Sequence, residues 1–254
     1  MKNSRSLKAL ILAAGFGTRL GDIGKTTPKG LFKNKHNSSI LDLILNQFLQ
    51  IEEVADIAVV SNQRFYQLYK QHLSSQYKNK NITLLNNGVM ESDKRLGSLG
   101  DLSFTLNKLD WWGQNLLVAP SDRTPNSFLK KMIDLFYQHQ GQATVNCLIE
   151  KPKTMIRNKS GCVAVDKNNR FTDFEEKPEN PKSNYASIPF YIFPPQALEL
   201  LKKYQKAGEN MDSPGNIFPW LIKHNHPIYA YITKTHSFDI GDLKDLEKFQ
   251  TEHK

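Results

Sequence analysis

Short apolar runs alternate along the first part of the chain with stretches whose apolar residues recur at helical spacing. Leu7 to Ala13, broken only by Lys8, reads as a buried strand, as do Ile57 to Ser61, Ile82 to Leu85, Leu116 to Ala119 and Ala143 to Ile149. Between them, Ser38 and Ser39 are placed to cap a helix that carries Ile40, Leu41, Ile44, Leu45 and Phe48 on one face. Further helices are predicted over Gln63 to Leu73, Ser98 to Lys108 and Phe128 to Tyr137. After Lys151 the pattern changes to short strands and turns, then a helix near Gln196 to Tyr204, a strand over Ile228 to Ile232 and a short terminal helix. Strands alternating with helices imply an α/β fold: a mostly parallel central sheet wrapped by helices, with a smaller mixed-β lobe. No linker-like segment separates the halves, so 1–254 is expected to be one domain with a first half of about 1–150 and a second of about 151–254.

Composition narrows the partners. The chain has 254 residues, 39% of them apolar, enough for a sizeable core. A net charge of +9 admits nucleic acid, an acidic membrane surface or phosphorylated small molecules as partners. The lysines are spread out and no nucleic-acid motif is present, so no nucleic acid is expected. Cys147 and Cys162 sit in strand-like runs and read as packing residues in a reducing compartment. No segment reaches the length of a membrane span, and the basic start runs straight into the first strand without a cleavage pattern. The expectation is a cytoplasmic protein with no membrane partner.

The densest chemistry follows the first strand. Ala14-Gly15-Phe16-Gly17-Thr18-Arg19 is a tight turn with two glycines, which lets backbone N–H groups meet an anion. Arg19, Lys25 and Lys29 bring positive charge to the same mouth. The dinucleotide fingerprint fails, because its third glycine would be Leu20. The nucleoside-triphosphatase loop fails too: its first glycine would be Arg19, and Pro28 would fall inside the helix it must open. The alternative, a Gly-rich turn that binds nothing, seldom gathers so many cations after a buried strand. Ligands of parallel sheets lie beyond the carboxyl ends of strands. There, after Leu116 to Ala119, stands Asp122, placed to hold a metal or to cap a turn.

These motifs resemble the sugar-phosphate nucleotidylyltransferases. G-x-G-T-R-L over Gly15 to Leu20, then Pro28-Lys29 nine residues after Leu20, matches that family's signature, with Asp22 where the family usually has Pro. The resemblance runs from Leu7 to about Phe249 and implies a Rossmann-like nucleotidyltransferase fold. It makes Arg19 and Lys29 the catalytic cations, and Ala13, Ala14, Gly15, Gly17 and Thr18 nucleotide-binding. Arg95-Leu96-Gly97-Ser98-Leu99-Gly100 resembles the family's nucleoside-contacting Leu-Gly-Thr-Ala-Gly, which adds Gly97, Ser98 and Gly100. Asp122 takes the place of one metal aspartate, and Asp239, in Asp239-Ile240-Gly241, that of the second. Two carboxylates with waters and phosphate oxygens suit Mg2+. Asp242 is expected to cap the terminal helix. Glu176-Lys177-Pro178 matches the family's acceptor motif, with Glu on sugar hydroxyls and Lys on the phosphate, and Gly161 precedes it in the same order.

The implied reaction is transfer of a nucleoside monophosphate from a nucleoside triphosphate to a phosphorylated acceptor, a sugar 1-phosphate, with release of pyrophosphate. The attacking phosphate is already an anion, and no Ser-His, Cys-His or histidine metal pattern is present or needed. Two alternatives stay open: a cytidylyltransferase acting on phosphocholine or another small phosphorylated acceptor, and a non-catalytic nucleotide-sugar-binding regulator. A homo-oligomer is compatible with either. Three departures touch the acceptor pocket: Arg123 where Asn is usual, Pro189 in place of a Gly, and Ser237 where Trp is frequent. Arg123 would add a fixed charge for the acceptor, and together these favour a more acidic or non-hexose phosphate over glucose 1-phosphate.

Overall fold

The computed structural model describes residues 5–235 and 237–252. They form two compact units that interleave along the chain. The first takes residues 6–96, 119–125 and 237–252, the second residue 5 with 97–118 and 126–235.

The first unit opens with β1 (Leu7–Ala13), α1 (Gly21–Thr26), α2 (Ile40–Phe48), β2 (Val54–Ser61), α3 (Tyr66–Gln76) and β3 (Ile82–Asn86). Its strands pair in the order β3-β2-β1, all parallel, in a register that sets Ala13 beside Ser61 and Ser61 beside Asn86. All three strands therefore end at one edge, where parallel sheets bind ligands. α2 starts where its capping box places it. Ser39 Oγ accepts from the Asp42 amide, and the Asp42 carboxylate accepts from the Ser39 amide at 2.8 Å. Its apolar stripe, Ile40, Leu41, Ile44, Leu45 and Phe48, is completely buried. The next helix begins three residues later than its apolar pattern suggests. Asn62 Oδ1 accepts from the Phe65 amide at 2.9 Å and holds 62–65 as a turn.

The second unit contains α4 (Ser98–Leu109), β4 (Leu116–Pro120, whose last two residues belong to the first unit), α5 (Phe128–Gln138), β5 (Thr144–Glu150) and α6 (Lys153–Ile156). It continues with β6 (Cys162–Val165), β7 (Phe171–Glu175), β8 (Tyr185–Phe193), α7 (Pro195–Lys206), α8 (Phe218–Lys223) and β9 (Ile228–Thr233). β8 lies antiparallel between β4 and β5, and β9 runs parallel to β5. β4, β5 and β9 thus share one direction, with β8 reversed. The hairpin β6–β7 joins β8 through β6 and supplies the mixed-β part expected after Lys151. The chain finally returns to the first unit with α9 (Leu243–Glu252), which buries Leu246 and Phe249. Asp242 caps it, accepting from the Lys244 amide at 2.9 Å and the Asp245 amide at 3.1 Å.

This is the mostly parallel α/β class with flanking helices that the alternation predicts. Three helices were not legible, one of them the four-residue α6, which falls where short strands and turns were expected. α1 contains two glycines and breaks at Thr27, which precedes Pro28 and is extended (ψ 123°). α8 is six residues long with Pro219 in its first turn, too short to show a period. His224 caps its end, and His226 is buried with Nε2 2.9 Å from Thr144 Oγ1. Pro189 lies inside β8 rather than in a loop. The register of β5 slips between Asn146 and Cys147 opposite it, and Asn146 Nδ2 donates to the carbonyls of Ile188 at 2.8 Å and Phe190 at 3.1 Å. The bulge accommodates the missing N–H of the proline. No helix among the described residues is long and apolar enough to cross a membrane.

Candidate active site

The glycine loop leaves β1 at its carboxyl edge. The side chains of Ala13 and Ala14 are buried, so only their backbone can meet a ligand. Asn62, itself buried at the end of β2, donates to the Ala14 carbonyl at 2.9 Å and fixes the start of the loop. Sequence reading missed Asn62; its signal was an uncharged polar residue directly after an apolar strand. Gly15 has open space where a side chain would stand. Gly17 has φ +62°, a left-handed conformation that suits glycine, and its carbonyl accepts from the Leu20 amide at 2.9 Å. Gly24 closes the loop from the other side: a Cβ there would lie 2.2 Å from the Gly17 oxygen. Thr18 and Arg19 are exposed on the following turn. Lys25 instead bonds Asp22 at 2.7 Å on a helix face where both side chains are largely in water. Such a pair contributes little, and it takes Lys25 out of the expected trio of loop cations.

Lys29 is held quite differently. Its ammonium lies 3.0 Å from Asp122 Oδ2, with its side chain only 13% exposed. Beneath this pair, Gly30 lets two segments close: a Cβ there would be 2.9 Å from the Tyr69 hydroxyl and 3.2 Å from the Ser121 carbonyl. The buried Tyr69 hydroxyl bonds the Ser121 side chain and the Gly30 backbone, and burial pushes its pKa far up. Tyr69 therefore ties the residue after Lys29 to the residue before Asp122. The Ser121 amide donates to the Leu12 carbonyl at 3.0 Å, which sets Asp122 at the edge where the glycine loop begins.

Asp239 reaches the same edge from the far end of the sequence. Residues 237–240 run antiparallel to residues 122–124. The Thr124 amide donates to the Phe238 carbonyl at 2.8 Å, and the Ile240 amide to the Asp122 carbonyl at 3.0 Å. The structure so brings Asp122 and Asp239 together, as sequence reasoning paired them. Desolvation raises the Asp239 carboxyl above the ordinary carboxylate range; the Asp122 charge adds to this, while Arg123 and Lys29 oppose it. Arg123 does not stand free to meet an acceptor. Its side chain is 14% exposed, and its guanidinium donates to Asp239 Oδ2 and, at 3.5 Å, to the Ser237 carbonyl. The small Ser237 turns its hydroxyl onto the Thr124 carbonyl at 2.6 Å. Two of the three departures, Arg123 and Ser237, thus meet beside the second aspartate. Each aspartate gives Oδ2 to its cation, and among the described residues Oδ1 has no hydrogen-bond donor. That pair of oxygens fits a hard divalent cation completed by substrate oxygens. No group of three or more acidic, His or Cys residues among the described residues is arranged to hold a metal by itself.

The second unit holds the other expected residues. Gly97 opens α4 with φ +76°, and a Cβ there would lie 2.3 Å from the Met211 carbonyl. The amides of Ser98 and Leu99 donate to the carbonyls of Asp212 at 2.9 Å and Met211 at 3.0 Å. The glycine is thus required by the approach of 211–212, and the Ser98 amide is occupied; Gly100 follows inside the first turn of α4. Glu176 is enclosed. A Cβ on Gly161 would meet the Phe174 ring at 2.5 Å and Glu176 Oε2 at 3.2 Å, and one on Gly215 would meet the same groups at 2.5 and 2.7 Å. Ser213 Oγ donates to Glu176 Oε1 at 2.9 Å. Lys177, with φ +47°, stands 4.0 Å from Glu176 Oε1 and is 57% exposed. A non-glycine residue in that region is strained by roughly 1–2 kcal/mol. Ser213 and Gly215 were missed; Ser213-Pro214-Gly215-Asn216 reads only as a turn.

The sequence profile of the family described as nucleotidyl transferase matches residues 8–254. The chain is 26% identical to a glucose-1-phosphate adenylyltransferase of Mycoplasma mobile over 94% of its own length and 65% of the relative's. It spans, then, somewhat under two thirds of that relative. Two solved structures share the fold. One is assigned as a glucose-1-phosphate thymidylyltransferase of Bacillus anthracis in complex with sucrose (TM-score 0.78, 18% identity, 96% of this chain and 93% of that one). The other is a UDP-glucose pyrophosphorylase complexed with UDP-glucose (TM-score 0.75, 20% identity, 95% and 96%). With the profile covering both units and the motif residues in the places described, the chain belongs to the nucleotidyl transferase family.

Proposed function

We propose that this chain transfers a nucleoside monophosphate from a nucleoside triphosphate to a sugar 1-phosphate, forming a nucleoside diphosphate sugar and pyrophosphate. The observation that carries the proposal is the Lys29–Asp122 and Asp239–Arg123 cluster at the edge where the glycine loop leaves β1. The relatives' printed activities on glucose 1-phosphate and UDP-glucose support the choice of acceptor class.

The chemistry needs alignment and positive charge rather than a base, because the acceptor phosphate is already a nucleophilic anion. Backbone N–H groups from Gly15 to Thr18 and the Arg19 guanidinium bind the triphosphate. Lys29, oriented by Asp122, holds charge at the phosphate chain. Glu176, fixed by Ser213, accepts hydrogen bonds from sugar hydroxyls, and Lys177 pairs with the acceptor phosphate. Asp122 and Asp239 would hold Mg2+, which when bound neutralises charge developing on the reacting phosphates. Of the three departures that together favoured a non-sugar or more acidic acceptor, Arg123 was to supply the free charge, and its use on Asp239 withdraws that part of the support.

The test is pyrophosphate release from each of ATP, UTP, CTP, GTP and dTTP with sugar 1-phosphates, phosphocholine or no acceptor. The proposal expects release that requires both a triphosphate and a sugar 1-phosphate. Release with phosphocholine alone among the acceptors would move the chain to the non-sugar class, and no release with any pair would leave a binding protein.

A further inference from the structure

The two ion pairs at the carboxyl edge of β1, Lys29 with Asp122 and Arg123 with Asp239, each balance to zero, and the Asp245 charge acts on Asp239 more weakly than any of the other three. Two neighbouring carboxylates without counter-ions would attract any divalent cation in solution. Here each already carries a cation on Oδ2, and a divalent ion entering the cluster brings its full charge into a neutral site. The Arg123 counter-ion is permanent, because a guanidinium keeps its charge at every working pH. It is also fixed. Its side chain is 14% exposed, its fork is placed between Asp239 and the Ser237 carbonyl, and its backbone is bridged to Asp239. Neither carboxylate is closed off by the described residues, among which both Oδ1 atoms have no hydrogen-bond donor. What the cluster lacks is negative charge, and a polyphosphate brings several units of it.

We infer that Arg123 is a built-in counter-ion that keeps Asp122 and Asp239 from loading a free divalent cation, so that the cation is taken up with the triphosphate as one complex. The inference rests on the reading of these aspartates as the cation site. It makes Arg123 a positioning residue that sets the order of loading, not an acceptor contact.

The test is Mn2+ binding to the full chain, followed by electron paramagnetic resonance, with and without an α,β-methylene triphosphate. The parent is expected to bind Mn2+ much more tightly with the analogue than without it. Arg123→Asn should tighten binding of free Mn2+ by at least about tenfold, the scale for removing one unit charge about 5 Å from a divalent ion under the full screening of bulk water. Arg123→Lys, which keeps the charge, should stay within about twofold of the parent. The bridge between residues 123 and 239 is made by backbone, so the Asn variant is expected to fold; Arg123→Gln carries the same expectation if it does not. Equal free-Mn2+ affinity in the parent and the uncharged variants would overturn the role of Arg123. The reading beneath it would still stand if Asp239→Asn weakened Mn2+ binding in the presence of the analogue. A gain that survived Asp239→Asn in the Arg123→Asn background would overturn both, because the ion would be bound elsewhere.

Discussion

The two units hold their expected site residues by different means. In the first, the residues are charged and held by opposite charge: Lys29 on Asp122, Arg123 on Asp239, with backbone pairing beneath. In the second, the central carboxylate is held by shape. Glu176 lies where Gly161 and Gly215 leave no room for a methyl group, and one hydroxyl, from Ser213, fixes its orientation. A site held by charge suits phosphate chains and cations, where the reaction itself is electrostatic. A site held by close contact suits an uncharged polyol, where the position of each hydroxyl decides the fit. Substitutions should therefore act on turnover in the first unit and on acceptor KM in the second.

The largest effects belong to the charged cluster. Asp122→Asn or Asp239→Asn should lower kcat by about a thousandfold, and Lys29→Ala by about a hundredfold, with melting temperatures close to the parent. Turnover within tenfold of the parent in all three would erase the distinction between the units. Lys25→Ala sharpens the same point. Its ammonium faces Asp22 and water, so kcat should change by less than about twofold although the residue lies four positions from Lys29.

Next come the glycines around Glu176. Gly161→Ala should raise acceptor KM by roughly tenfold or more and cost about 1–3 kcal/mol in stability, because the new methyl meets the Phe174 ring. The triphosphate KM should stay near that of the parent. If the triphosphate KM moved as much as the acceptor KM, the assignment of Glu176 to the acceptor would fail. Ser213→Ala removes one hydrogen bond to Glu176 and should raise acceptor KM by roughly three- to tenfold.

The smallest effect concerns acid. Burial holds the His226 imidazole at a pKa of about 4, below its ordinary value of 6.5. Its neutral form is favoured in the folded chain, so its contribution is complete above pH 6.5 and is lost as pH falls toward 4. In the first unit, hydrogen bonds from His72 and Ser39 hold Asp42 at about 2 against the opposing effect of its burial, from an ordinary 3.8. That contribution is complete above pH 3.8 and lost only as pH falls toward 2. Trp111, Trp112 and Trp220 all lie in the second unit, so tryptophan fluorescence reports its loosening. Stability read by fluorescence should decline between pH 6.5 and 4, and His226→Gln should flatten that decline. An unchanged slope in the variant would show that His226 is not its source.

Much of this was legible in sequence because it is local. The capping box at Ser39, the apolar strand into Gly15 and the cap at Asp242 are written in neighbouring residues. The pairing of Asp122 with Asp239 was accessible only through motif resemblance, since residues so distant in sequence meet through strand-like pairing that no local pattern encodes. The use of Arg123 was not legible for the same reason. Its partner is 116 residues away, and a side chain read alone looks available. Gly97 was read as a ligand contact, whereas its fit against Met211 depends on a tertiary approach. Gly215 and Ser213 looked like an ordinary turn because the residue they enclose is far from them in sequence.

The account turns on where the phosphorus atoms go. With the triphosphate that supports turnover, labelled separately at its α and γ positions, and a sugar 1-phosphate in magnesium buffer, the α label should appear in a nucleotide sugar. The γ label should appear in pyrophosphate, in equal amounts and only when the acceptor is present. Release of the γ label as inorganic phosphate, or of the α label as free mononucleotide without acceptor, would contradict nucleotidylyl transfer and with it the roles assigned to both units.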